Sequence, residues 1–372
     1  MLVTMIPRFA RPPAAFAAAA LCAGCAVESG AAPSTDLMTP LASSAPLAVL
    51  EYRAGEVFTM DPQGRLLLSD ADEGQLIVYS REGREESRLG RKGAGPGEYG
   101  LPQGAVVGPD GSLGVIDGLL SRFSHYDANH RLVATHPLPG TPLQLLNWDG
   151  KHALLVWLEG MNTGPVVGRV DVATGKAHVL YRPYERAPEL AKDAPESAAP
   201  GSQPWVTTAF ARDGRVLVAR GETYRIFAFD TAGAVRQRFG RDDVQRERPS
   251  EHEAAELEQA MSRMFEKAGL ASEQSAPFIS AVRTRPKPFF MMHSFATDAS
   301  GRLWIATQRG AYGETQLDLF GADGTFLRTV AVRDRVRRIT ISEPYLAVLV
   351  KRQSGDAEGA EGVDVYRLDD LR

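Results

Sequence analysis

The sequence predicts an all-β fold: a six-bladed β-propeller with a helical insert between blades four and five. Two observations carry this. The first is a recurring pattern of apolar strand, Gly-bearing turn, apolar strand, loop, third strand, Gly or Asn turn, and fourth strand. Copies start near Met60, Val106, Phe210 and Ala296, with weaker ones from Leu145 and Arg338. Six four-stranded units of about 40–50 residues match the propeller period. The second is local chemistry. Leu66-Leu67-Leu68, Val216-Leu217-Val218 and Leu303-Trp304-Ile305 are short strings of β-formers bounded by turn residues. Asp-Gly and Ser-Gly at the joints supply the left-handed position of a tight hairpin.

Ahead of the repeats, residues 1–24 read as an export signal. Arg8 and Arg11 form a basic start, and Ala14–Ala23 is apolar but too short for an ordinary membrane-spanning helix. Cys22 and Cys25 are the only two cysteines in the chain. The stretch Leu21-Cys22-Ala23-Gly24-Cys25 resembles a bacterial lipobox, in which the last cysteine is acylated and begins the mature chain. Cys22 stands where an aliphatic residue is usual. The resemblance implies lipidation at Cys25; a soluble export signal is the other reading. Such a mature chain has no disulfide and depends on core packing. Residues 25–46 are rich in Ala, Ser, Pro and Thr without an apolar period, which predicts a flexible tether. The propeller is assigned to residues 47–372. Radial closure removes exposed sheet edges, often by lending a terminal strand to the last blade. Pro46–Arg53 is the expected donor.

Residues 241–290 interrupt the repeat. Ser250 and Glu253 form a capping box behind Pro249. Ala254, Leu257, Met261, Met264 and Phe265 share one helical face. Glu251, Glu253 and Glu256 load the start, Arg263 and Lys267 the end, and Gly269 stops the helix after about four to five turns. A short second helix and a Pro-rich return follow. The insert either packs on the propeller rim or caps one mouth of the central channel.

The densest glycine run, Gly90–Pro102, is GRKGAGPGEYGLP. It lacks the Gly-Lys-Ser/Thr ending of one phosphate loop, and a strand follows it where the dinucleotide loop needs a helix. Gly93 to Pro102, continued by Gly111, Val115-Ile116-Asp117, Arg122-Phe123 and Tyr126-Asp127, resembles the NHL-repeat pattern of bacterial six-bladed propellers of the NHL/TolB-like group. The resemblance covers about residues 50–370 and is strongest in units one, two, four and five. It implies the fold and says little about function. The run then reads as a connector from one blade's outer strand to the next blade's inner strand.

A net charge of −4 without like-charge blocks excludes a nucleic-acid footprint. No G-x-S-x-G elbow is present. His252-Glu253-Ala254-Ala255-Glu256 has Glu where a zinc motif needs His, and Asp70–Gly74 lacks most calcium ligands. Aligning the units places Glu56, Gln103, Trp205, His293 and Arg338 near the starts of the innermost strands. His125, His130, His136, His152, His178 and His252 fall elsewhere. One Glu, one Gln and one His make a thin metal shell, so neither metal, cofactor nor catalytic residue is assigned. The ring offers stacking, hydrogen bonding and one positive charge, suited to a sugar, a peptide or an anionic group. The expectation is an exported, monomeric lipoprotein, anchored at the outer membrane and facing periplasm or surface. It would bind an envelope protein or small ligand without catalysis. The alternatives are a metal-dependent hydrolase or lyase of the lactonase/gluconolactonase type, and a purely structural scaffold.

Overall fold

A computed structural model describes residues 35–37, 42–43, 57–70, 72–159, 164–192, 206–267, 272–311, 313–353 and 359–371. Antiparallel meanders account for most of them. Blade one comprises Phe58–Met60, Leu66–Asp70, Gln75–Tyr79 and Glu85–Leu89. Blade two comprises Pro102–Val107, Leu113–Asp117, Arg122–Tyr126 and Leu132–Pro137. Blade three comprises Thr141–Trp148, His152–Leu158, Val166–Asp171 and Lys176–Tyr181. Blade four comprises Val206–Phe210, Val216–Arg220, Arg225–Phe229 and Val235–Gly240. Blade five comprises Phe295–Thr297, Leu303–Ala306, Glu314–Phe320 and Phe326–Arg333. Blade six contributes Arg335–Ser342, Tyr345–Lys351 and Glu361–Arg367.

The first strand of each blade meets the first strands of both neighbours, so these strands form a closed inner ring. Six apolar clusters fill the six blade interfaces. The last joins Met60, Leu66 and Leu68 of blade one to Ala347, Leu349, Val363 and Val365 of blade six. Middle strands are buried on both faces, as at Leu113–Asp117, whereas the outer strand Glu85–Leu89 is exposed except at Leu89. That gradient explains why the middle strands read as continuous apolar runs.

The turns bear out the local chemistry. The first hairpin of blades one to five carries a glycine at positive φ: Gly64, Gly111, Gly150, Gly214 and Gly301. Asp61 shows the companion device, its Oδ1 accepting the amides of Gln63 and Arg65 at 2.9 and 2.8 Å. In blade two's outer turn, His130 takes the left-handed position with φ of 60°. That residue is therefore a turn residue, with no place on the channel.

Closure differs in detail from expectation. Ala42–Ser43 pairs antiparallel with Val365 and Asp364 and supplies blade six with its fourth strand. Pro46–Arg53 lies outside the described residues. Within the segment read as a tether, Thr35–Leu37 adds a parallel fifth strand to blade five, against Thr329–Ala331. An outer strand's free edge satisfies backbone groups whatever the side-chain composition, which is why composition did not reveal these strands. Two short helices, Pro183–Arg186 and Pro188–Lys192, join blades three and four and were not anticipated.

The insert forms between blades four and five as two helices, α3 at Glu251–Lys267 and α4 at Ser272–Thr284, following those two short ones, α1 and α2, in chain order. The capping box is present: Ser250 N donates to Glu253 Oε2 at 2.8 Å, and Glu253 N to Ser250 Oγ at 3.3 Å. Among the described residues, no helix is long and apolar enough to cross a membrane.

Candidate functional site in the central channel

The inner ring encloses a cavity of about 240 Å³ lined by first-strand residues of all six blades. Gln103, His293 and Arg338 stand on its wall. Glu56 and Trp205 lie outside the described residues, as does Cys25. Gln144 and Thr208 also line the cavity and were missed. The sequence assigns no ring residue to the third unit, one of the two that depart most from the repeat, so Gln144 is not singled out there. On blade four the ring position was placed ahead of the strand, whereas Thr208 lies within it.

Most polar groups on this wall are already engaged. Gln144 Nε2 donates to the Thr208 carbonyl at 3.1 Å, and the Thr208 hydroxyl donates back to Gln144 Oε1. Gln103 Nε2 donates to the Leu143 carbonyl at 3.3 Å, and Thr297 Oγ1 to the Phe210 carbonyl at 2.7 Å. These bonds tie adjacent blades together along the axis.

His293 is different. Its Nε2 is sealed from solvent and has no hydrogen-bond partner. Its backbone is left-handed, with φ of 61°, which costs a non-glycine residue stability. A turn holds it there: buried Ser294 donates its hydroxyl to the Met291 carbonyl at 2.5 Å and accepts the Met291 amide at 2.9 Å. Burial, and then the positive charge of Arg338, push the imidazole down to about 3. His293 is therefore neutral at physiological pH, and the charge on the wall is that of Arg338. Arg338 is itself 4% exposed. No Asp or Glu lines the cavity among the described residues. Glu361, nearby on blade six, feels Arg337, Arg338 and Lys351, yet burial holds its carboxyl above the usual range.

The glycine-rich run is spent on structure. Gly100 N and Leu101 N donate to the Asp117 carboxylate at 2.8 and 3.1 Å, and Gly95 N to Glu98 Oε2 at 2.8 Å. Tyr99 is fully buried with its hydroxyl 2.6 Å from that of Tyr126. Asp70 accepts the amides of Asp72 and Glu73 at 3.1 and 3.0 Å, which makes it a turn cap. His252 is exposed on α3, 3.8 Å from Glu256. No three His, Cys, Asp or Glu side chains converge among the described residues in a way that would hold a metal.

Closed ring, sheet order and interface clusters together define a six-bladed β-propeller. Residues 55–159 match the DUF5128 family, described as a 6-bladed beta-propeller. Among solved structures, the chain is similar to a duf4221-family member from Bacteroides vulgatus, with TM-score 0.53 and 9% identity over 90% of this chain and 96% of that one. It is similar to a protein from Bacteroides fragilis, with TM-score 0.50 and 13% identity over 89% and 94%. Regucalcin, a calcium-binding protein from Agrobacterium tumefaciens, is similar at TM-score 0.48 and 14% identity over 90% and 98%. At such identities the likeness is one of fold. No curated protein sequence matches the chain.

Proposed function

We propose that this protein is an exported, lipid-anchored propeller of the NHL/TolB-like kind that binds a small anionic ligand in its central channel without transforming it. The observation that carries the reading is the His293–Arg338 corner. It sets the Arg338 guanidinium beside an imidazole whose Nε2 has no hydrogen-bond partner, on a wall whose described lining includes no Asp or Glu. A desolvated site of this kind favours an anion, because the guanidinium donates charge-assisted hydrogen bonds in a low dielectric. Engagement of Gln144, Thr208 and Gln103 by neighbouring blades supports binding over catalysis, since among the described lining residues no general base is paired with a nucleophile. Export and anchoring rest on Arg8, Arg11, the apolar run Ala14–Ala23 and the lipobox-like Leu21–Cys25.

Calorimetric titration with acetate, gluconate and inorganic phosphate tests the binding. At least one should bind the wild type, and Arg338→Gln should weaken it about tenfold or more at unchanged melting temperature. Equal binding by the variant, or no binding of any anion, sinks the reading. Stoichiometric calcium or zinc in the purified protein would turn it toward a lactonase-type enzyme. Palmitate-analogue labelling tests the anchor: label in wild type and none in Cys25→Ser is the expected outcome.

A further inference from the structure

Helices α3 and α4 are tied to each other more closely than to the propeller. Internally the hairpin is well tied. Arg283 donates to Glu258 at 2.7 and 2.9 Å, also reaches Glu251, and the Phe265 and Phe278 rings lie 6.0 Å apart. Its apolar side chains are poorly covered. Ala254 is buried, Leu257, Met261, Phe265, Ile279 and Val282 are half-buried, and Phe278 is 50% exposed. Little hydrophobic burial therefore holds it down.

Its base, by contrast, is pinned. Lys287 N donates to the Glu247 carbonyl at 2.7 Å, and Lys287 Nζ to Glu253 at 3.1 Å. Phe289 N donates to the Gly221 carbonyl at 2.6 Å, and Phe289 and Phe290 join the core between blades four and five. On the entering side, Arg241 is held by Asp243 and buried Asp318. The anchors to the propeller, Arg241 and Phe289–Phe290, lie outside the helices, and the irregular residues 245–250 between Arg241 and α3 supply the joint on which the hairpin turns.

Across from it, blade six presents cations. Lys351 Nζ lies 2.8 Å from Glu256 Oε1, and Arg335 lies 3.9 Å from Glu256 Oε2. Arg335 belongs to the same inner strand as Arg338 of the cavity wall. Arg337 lies close enough to Arg335 to oppose its charge, while Glu253 and Glu256 support it. The other titratable group at Glu256 is exposed His252. Glu256 Oε2 is buried without a hydrogen bond, so the contact is half made. A buried acceptor left unsatisfied works against the closed arrangement and keeps it easy to release.

We propose that the α3–α4 hairpin is a lid, latched by the Glu256 carboxylate onto the Lys351 and Arg335 rim of blade six beside the channel. Release uncovers that basic rim, continuous with Arg338, to an incoming anion. The latch stands whether or not the channel binds an anion, so its test is independent of the titrations.

Spin labels at exposed Ala260→Cys and Arg367→Cys, in a full-length Cys22→Ser, Cys25→Ser background, report the lid by pulsed dipolar spectroscopy. One short distance is expected at low salt. The longer-distance population should grow about fivefold in high salt, which screens the part-exposed pair. Glu256→Gln and Lys351→Met should show the long distance at low salt, and Lys351→Arg should restore the short one. Distributions that are identical across salt and variants would overturn the lid. So would a long distance in Lys351→Arg with its melting temperature intact. Equal melting temperatures for Lys351→Met and Lys351→Arg confirm that the comparison reads the latch.

Discussion

The glycine-rich connector and the His293–Arg338 corner invert what their sequences advertise. The connector has five glycines in thirteen residues and looks like a ligand loop. In the fold its amides are consumed by Asp117 and Glu98, and its one aromatic side chain, Tyr99, is sealed in the blade one–two interface. The corner has no motif at all. It comprises one histidine ahead of an inner strand and one arginine within another, yet it holds an unpartnered imidazole nitrogen and a strained backbone. The proposed binding site lies where polarity is left unspent, because an unsatisfied buried group gains most by meeting a ligand.

The largest expected effect tests the connector as structure. Tyr99→Ala removes a fully buried ring and the hydroxyl contact to Tyr126, and should cost about 3–5 kcal/mol in chemical denaturation. A loss below about 1 kcal/mol would mean that the loop is not part of the core. Next comes Gly90→Ala. Gly90 has φ of 82°, and a Cβ there would meet the Tyr99 ring at 2.7 Å. A loss of about 1–3 kcal/mol is expected from strain and overpacking together, and an unchanged melting temperature would contradict it.

The corner predicts a pH signature instead. The folded His293 titrates near 3 and a free histidine near 6.5, so the unfolded chain takes up the proton first. Stability from neutral His293 is complete above about pH 6.5 and is lost as pH falls toward 3. His293→Gln should flatten the stability–pH curve across that window. A slope identical to wild type would place the imidazole in solvent.

Much of the architecture was legible because its causes are local. Leu66–Leu68 and Leu303–Ile305 report their own burial, and the glycine at the first turn of blades one to five reports its own backbone angle. The capping box of α3 needs only Ser250 and Glu253, three residues apart. The channel was legible in part. Gln103, His293 and Arg338 follow from repeat phase, but the third unit departs too far from the repeat to set its phase, and without phase a strand pattern does not say which side chains face the axis.

By itself the sequence determined the blade count, the insert's position and its first helix, since turn chemistry and strand period act within a few residues. Tertiary structure alone decided which segment closes the ring and which polar groups on the axis go unpaired. Ala42–Ser43 took the closing edge of blade six, and Thr35–Leu37 the outer edge of blade five, by backbone pairing that is indifferent to side-chain identity. Gln144 and Thr208 satisfy each other across blades 64 positions apart, while His293 finds no such neighbour for its Nε2.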